Sequence, residues 1–199
     1  GTAAGAVAVA KRAPEAEVLG VDINDTALRY ARINTALAGL DRVRPTHSDL
    51  LHGVDGTFDL IISNPPFMID PARRTYRDGG GPAGNALSLA VIDAADERLA
   101  PGGSLVLFSG TGIAAGHDPL REAAAQRLAG TDLCWAYREV DPDVYGEELE
   151  TEAYRHAERI AVIVLTATRR CGPSRRAAGP RPPTAGSDLV RPGEERGTP

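Results

Sequence analysis

The chain has 199 residues and a formal charge of −5, from 22 Lys+Arg against 27 Asp+Glu, and 42% of its residues are hydrophobic. That is the composition of an ordinary soluble globular chain, and the apolar run Ile160 to Leu165 falls far short of the roughly 20 residues a membrane helix needs. Two cysteines, Cys134 and Cys171, exclude a disulfide scaffold and a four-cysteine zinc site, and they fit a reducing cytoplasm.

The charge is unevenly spread. Residues 169–199 hold 7 Arg, 6 Pro and 5 Gly in 31 positions without apolar periodicity. Such a segment cannot offset its ordering entropy by burial and is expected to be a disordered tail. Residues 1–168 then carry 15 basic against 24 acidic residues, a net of −9. A body of that sign is poorly suited to nonspecific DNA binding, which depends on neutralising several phosphates with Lys and Arg. Its length suffices for one domain with a sizeable core. Neither a signal peptide nor a transit pattern follows Gly1, and the chain reads as a fragment.

Ala6 to Arg12 is helix-forming and closes at Pro14, and the apolar run Val18 to Val21, ending in Asp22, predicts a buried strand. Asn24 and Asp25 offer caps to a helix over about Thr26–Ala38, where Ala27, Ala31, Thr35 and Ala38 recur at helical spacing before Gly39. Val43–Thr46 is a short strand that Pro45 demotes toward an edge. Phe58–Ser63 is the clearest strand, broken at once by Asn64-Pro65-Pro66. Ile69–Gly84, with four Gly, two Pro and three Arg, forms a long loop of the kind usually tied to function or motion. Leu87, Ala90, Val91 and Ala94 mark a helix ended by Pro101-Gly102-Gly103, before a strand over Ser104–Ser109. Asp118 and Pro119 open a helix to about Leu128, and Leu133–Val140 and Ile160–Thr168 read as the last strands. Alternation of this kind predicts an α/β, Rossmann-like doubly wound fold: a mostly parallel sheet with helices on both faces and an antiparallel C-terminal strand.

Gly1-Thr2-Ala3-Ala4-Gly5-Ala6 is a small-residue turn into a helix, which lets a ligand approach the backbone over the helix N-terminus. A tight strand-to-helix turn explains it as well. Asp22, at the carboxyl end of the next strand, is placed as a ribose-diol acceptor is in nucleoside-binding α/β folds. Ser48-Asp49-Leu50 follows the strand over Val43–Thr46, again at a carboxyl end. Asp49 can accept from an adenine amine and the Leu50 amide can face a ring nitrogen, or Asp49 can be a turn residue.

Asn64-Pro65-Pro66-Phe67 is the most specific signal. Pro65 blocks helix formation at Asn64, so the chain leaves the sheet extended and presents polar groups. The Asn64 side-chain oxygen and the Pro65 carbonyl can accept both hydrogens of one planar NH2 group while Phe67 stacks on its π-system.

Ile61-Ile62-Ser63-Asn64-Pro65-Pro66-Phe67 resembles the signature of class I S-adenosylmethionine-dependent methyltransferases acting on planar amines or amides. These include adenine amino-methyltransferases, the methyltransferase small domain enzymes of ribosomal RNA, and release-factor glutamine methyltransferases. Val21-Asp22-Ile23-Asn24 to Ala31, followed by Asn34, is similar to the family's second-strand acid and helix, and Pro101 to Leu105 to its turn before the fifth strand. The likeness spans residues 1–168. It implies S-adenosylmethionine as cofactor, held by Gly1, Gly5, Asp22, Ile23, Asp49, Leu50 and Asn64, with Asn64, Pro65 and Phe67 as the catalytic group and no metal. The implied acceptor is a release-factor-like protein glutamine, put ahead of a structured RNA because the folded part is acidic.

Three departures stand out. Ala3 occupies the place of the motif's middle glycine; the first strand and its acid would lie upstream of Gly1; and Ile69 to Arg74 is basic where the glutamine enzymes often carry a Glu-rich segment. Two further function classes compete. A nicotinamide oxidoreductase keeps the glycine turn and Asp22 but leaves Asn64–Phe67 unexplained, and a noncatalytic nucleoside-binding module carries the site as a vestige. His47, His52, His117 and His156 form no metal-ligand spacing. Arg73, Arg74, Tyr76 and Arg77 can meet a phosphate or an acidic protein surface, or simply be solvated. Tyr145 to Glu150 reads as a surface connection that can border the cleft.

Overall fold

Capping sets the helix starts. The Asn24 side-chain oxygen accepts the N–H groups of Thr26 and Ala27 at 2.9 and 3.2 Å, opening α2 (Asp25–Leu37). Asp118 Oδ1 accepts those of Leu120 and Arg121 at 3.0 Å, with Pro119 leading α4 (Pro119–Leu128). The second Asp118 oxygen accepts from the Tyr137 hydroxyl at 2.7 Å, and burial together with this carboxylate pushes the Tyr137 phenol well above its ordinary value.

The computed structural model of the chain describes residues 1–171, so from residue 172 on the expected tail lies outside the described residues. The remaining elements are α1 (Ala4–Arg12), β1 (Val18–Asp22), β2 (Val43–His47), β3 (Phe58–Ser63), α3 (Ala86–Arg98), β4 (Leu99–Ile113), β5 (Leu133–Asp141) and β6 (Arg159–Arg169). They follow the predicted order of helices and strands. Two 3-10 turns, Gly146–Glu150 and Glu152–Tyr154, occupy the connection between β5 and β6.

β1 and β2 pair in parallel, from Val18 with Val43 to Asp22 with His47, and Pro45 sits on an edge strand. The second sheet has the order β3-β4-β6-β5. β3 and β4 are parallel, and β6 is the one reversed strand, inserted between β4 and β5 and antiparallel to both. The last two strands therefore pair as expected, but the longest ladder is the nonlocal one, from Ser104 with Thr168 to Ile113 with Arg159.

Several boundaries differ from the sequence reading, and β4 runs on past Ser109 to Ile113. Pro101-Gly102-Gly103 does not separate α3 from its strand: Leu99 already pairs with Phe58, and the register then shifts so that Leu60 meets Ser104. Gly102 is at φ 81°, and a β-carbon on Gly103 would lie 2.6 Å from the Phe58 carbonyl oxygen, so glycine absorbs the irregularity inside the strand. Arg169, placed in the tail by composition, closes β6, and its guanidinium reaches Asp132 and Asp96.

Alternation along β4 builds two cores. Leu105 and Leu107 pack with Leu89, Ile92, Ala95, Leu120, Ala124 and Leu128 of α3 and α4 and with Ile163 and Leu165 of β6. The Ser109 hydroxyl meets that of Ser88 at 2.7 Å. Phe108 belongs to a second cluster, with Phe67, Met68, Tyr154 and Ile160, where loop and 3-10 turns cover the sheet. Between the two sheets no strands pair among the described residues, and Leu60 and Ile62 on β3 are 43% and 49% exposed.

Candidate active site

The predicted ligand residues fall at or just after strand ends, and those of β1 and β2 touch one another. The Ser48 N–H donates to the Asp22 carbonyl at 3.1 Å, tying the end of β1 to the segment that carries Asp49. Asp22 Oδ1 accepts from the Asn24 N–H at 2.8 Å, and Oδ2 pairs with the Gly1 amine. Asn34 Nδ2 donates to the Thr2 carbonyl at 2.9 Å, so α2 holds the glycine turn in place. A β-carbon on Gly5 would lie 3.9 Å from Ile62 Cγ2, and one on Gly1 would meet nothing within 4 Å. The turn is thus open on its outer side and sits beside the end of β3. Ala3, which caps α1 without a side-chain hydrogen bond, is at φ 70° in the left-handed region, the conformation that the missing glycine would adopt freely.

Ile23 is 55% exposed, and Asp49 is exposed as well. Leu50 turns its side chain into the main core at φ 48°, which leaves its backbone as the part available to a ligand.

Asn64 is exposed, and among the described residues neither its side chain nor the Pro65 carbonyl has a hydrogen-bond partner. Phe67 is different. It is only 9% exposed, with its ring centroid 5.9 Å from that of Tyr145 and 6.5 Å from that of Phe108, both edge-on. Its backbone is gripped by glycines: a β-carbon on Gly79 would lie 2.6 Å from Phe67 Cα, and one on Gly84 would lie 2.7 Å from its carbonyl oxygen. The motif's aromatic is held within the protein wall.

The loop after the motif is a built structure and not an open basic surface. Asp70, buried, takes a bidentate pair from Arg74 at 2.8 Å to each oxygen and the Arg74 N–H at 2.9 Å. The Arg74 guanidinium holds the Asp70 carboxyl well below the usual carboxylate range. Arg77 pairs with Glu148, fastening the loop to the 3-10 turn that carries Tyr145 forward onto Phe67. The Tyr154 hydroxyl accepts from the Ile69 N–H at 2.8 Å, and burial raises its phenol above the ordinary value. Arg73, Arg74 and Tyr76 stay exposed, Tyr76 at 72%, and Arg77 is half-buried. The four histidines are exposed, with His47 on Asp25 and His117 on Glu122. Sequence reading missed Asp70, Tyr154, Gly79 and Gly84. It also passed over one available signal, Gly110 and Gly112 two apart on a strand, which leaves room on one sheet face for large neighbours.

Residues 1–122 match the family described as the methyltransferase small domain. The chain belongs to that family. Within it, the chain is similar to the release factor glutamine methyltransferase of Deinococcus radiodurans, 36% identical over 170 residues that cover 78% of this chain and 56% of that protein. It is 44% identical over 64 residues to the ribosomal protein uL3 glutamine methyltransferase of Neisseria meningitidis, covering 32% of this chain and 21% of the relative. The chain thus spans about half the length, or less, of these curated relatives. Among solved structures, geranyl diphosphate methyltransferase in complex with GPP and sinefungin matches with a TM-score of 0.61 at 16% identity, over 85% of this chain and 69% of that one. That likeness shows the shared Rossmann-like methyltransferase fold. No helix among the described residues is long and apolar enough to cross a membrane.

Proposed function

We propose that this methyltransferase small domain takes part in S-adenosylmethionine-dependent N-methylation of a protein glutamine amide, of the release-factor or ribosomal-protein kind, in the cytoplasm. The observation that carries the reading is the pair of unpartnered acceptors at the end of β3, Asn64 Oδ1 and the Pro65 carbonyl, beside an open glycine turn. Two acceptors match the two N–H groups of a primary amide.

The residues fit the cofactor. The turn at Gly1 and Gly5 leaves its outer side free. Asp22 Oδ1 accepts from the Asn24 N–H, whereas a carboxylate has about four acceptor sites, so capacity remains for a ribose diol. Asp49 and the Leu50 amide would take the adenine edge, and Ile23 would lie along the ring. S-adenosylmethionine bound there supplies an electrophilic methyl group. Asn64 and Pro65 hold the amide N–H groups and turn the nitrogen lone pair toward the turn, and Phe67 fixes the wall against which the amide lies. Orientation and exclusion of water supply the acceleration.

The names of the relatives favour a protein acceptor, and the net of −9 over residues 1–168 disfavours a polyanion. The test is incubation with methyl-labelled S-adenosylmethionine and, separately, a release factor, ribosomal protein uL3 and ribosomal RNA. Label on a glutamine of either protein is the expected result. Label on RNA alone, or nicotinamide-dependent absorbance change in place of methyl transfer, overturns the reading.

A further inference from the structure

Arg98, in the last turn of α3, forms no ion pair with a carboxylate among the described residues. Its guanidinium instead collects three carbonyls of one short segment. Nε donates to Gly56 at 2.7 Å, Nη1 to Leu51 at 3.2 Å and Nη2 to Val54 at 2.5 Å. Its Cζ lies 5.8 Å from the centroid of the Phe58 ring. The segment so held is the connection from Asp49-Leu50 to β3. It contains no helix or strand, and its own bonds are few: His52 N–H to the Asp49 carbonyl and Gly53 N–H to Ser48 Oγ, both at 3.1 Å, and Val54 N–H to the Leu51 carbonyl at 3.4 Å.

Leu50 sits at φ 48°. For a branched side chain that is a strained backbone, which persists only where its surroundings over-determine it. The carbonyl of the next residue, Leu51, is one of the three held by Arg98. A planar fork with donors diverging in one plane suits three carbonyls at once, which the ammonium of lysine cannot reproduce.

We infer that Arg98 is a positioning residue for the adenine end of the cofactor site. By pinning the carbonyls of Leu51, Val54 and Gly56 it keeps Leu50 in its left-handed conformation and thereby sets where the Asp49 carboxylate and the Leu50 amide stand. This inference rests on the reading of Asp49 and Leu50 as the adenine contacts.

The experiment is calorimetric titration of the chain with S-adenosylhomocysteine and with S-inosylhomocysteine, in which a carbonyl replaces the adenine amine that Asp49 would receive. Wild type is expected to prefer the adenine compound by about tenfold, the scale of one hydrogen bond to a charged group. Arg98→Ala should shrink that ratio to about threefold or less, with the loss falling on the adenine compound, and Arg98→Lys should retain only part of the preference. Asp22→Ala should weaken both compounds alike and leave the ratio unchanged. If Arg98→Ala weakens both equally, Arg98 serves stability alone and the inference is overturned; if that variant does not fold, Arg98→Lys decides by the same criterion. A wild type that binds both compounds equally removes the adenine reading of Asp49, and the inference with it. A wild type that binds neither refutes the cofactor reading itself.

Discussion

The ring of Phe67 lies so close to Gly110 that a β-carbon there would be 2.6 Å from two of its ring carbons. Two residues on, a β-carbon on Gly112 would lie 3.4 Å from the Tyr154 ring. One face of β4 is thus pared down to backbone where the motif's aromatic and the tyrosine beneath its loop must sit. Gly110→Ala should displace the Phe67 ring and destabilise the chain by about 1–3 kcal/mol, the usual cost of overpacking. Denaturant unfolding checks this, and Phe67→Leu in the Gly110→Ala background should restore part of the loss. An unchanged midpoint for Gly110→Ala would mean that the ring has room to move.

Ala3 gives a change of opposite sign. At φ 70° an alanine bears the left-handed penalty of roughly 1–2 kcal/mol, partly offset against glycine by the unfolded-state entropy of the latter. Ala3→Gly is therefore expected to stabilise the chain by about 0.5–1 kcal/mol, visible as a higher thermal midpoint.

For the loop that follows the motif, pH is the probe. The Asp70 carboxyl is depressed in the folded chain by Arg74, so its contribution is fully present above the ordinary carboxylate value near pH 4 and is lost as pH falls through the lower folded value. Protection of the Arg74 amide, which donates to Asp70 at 2.9 Å, should hold from neutral pH down to about 4 and fail only in stronger acid. Asp70→Asn should remove much of that protection at neutral pH. Hydrogen exchange corrected for intrinsic rates separates the two outcomes.

Among the described residues the outer edges of β1 and β3 pair with no strand, and Leu60 and Ile62 are half-exposed beside one of them, where an open hydrophobic edge is a liability that an added strand would relieve. An N-terminal extension carrying an apolar strand that ends in Asp or Glu two residues before Gly1 should raise the thermal midpoint and protect the β3 amides from exchange. No change in either would show that the edges are not a strand site.

Much of the fold is legible in the residues themselves. Asn24, Asp118 and Pro119 cap their helices locally, and Asn64-Pro65-Pro66 stops β3, so the order of elements follows from short-range chemistry. The insertion of β6 beside β4 does not, because strand order depends on pairing between residues distant in sequence, such as Ser104 and Thr168. Asp22 and Asn64 stand out as candidates by type and place at the ends of β1 and β3. The enclosure of Phe67 by Gly79, Gly84, Gly110 and Tyr145 and the clamp of Arg98 on its loop are tertiary contacts with no local pattern, whereas the capture of Arg74 by Asp70 is a pair four residues apart.

Methyl transfer by Asn64→Ala, measured together with its affinity for S-adenosylmethionine, tests the proposed function most directly. The substitution removes an exposed acceptor and leaves the glycine turn and Asp22 untouched. Turnover on the protein glutamine acceptor should fall by about two orders of magnitude, since orienting the nucleophile acts in the transition state, while cofactor affinity stays within about twofold. Asn64→Asp, which keeps an acceptor, should lose less. An Asn64→Ala chain that methylates its acceptor as fast as wild type would contradict the proposal and reduce the motif to a structural turn.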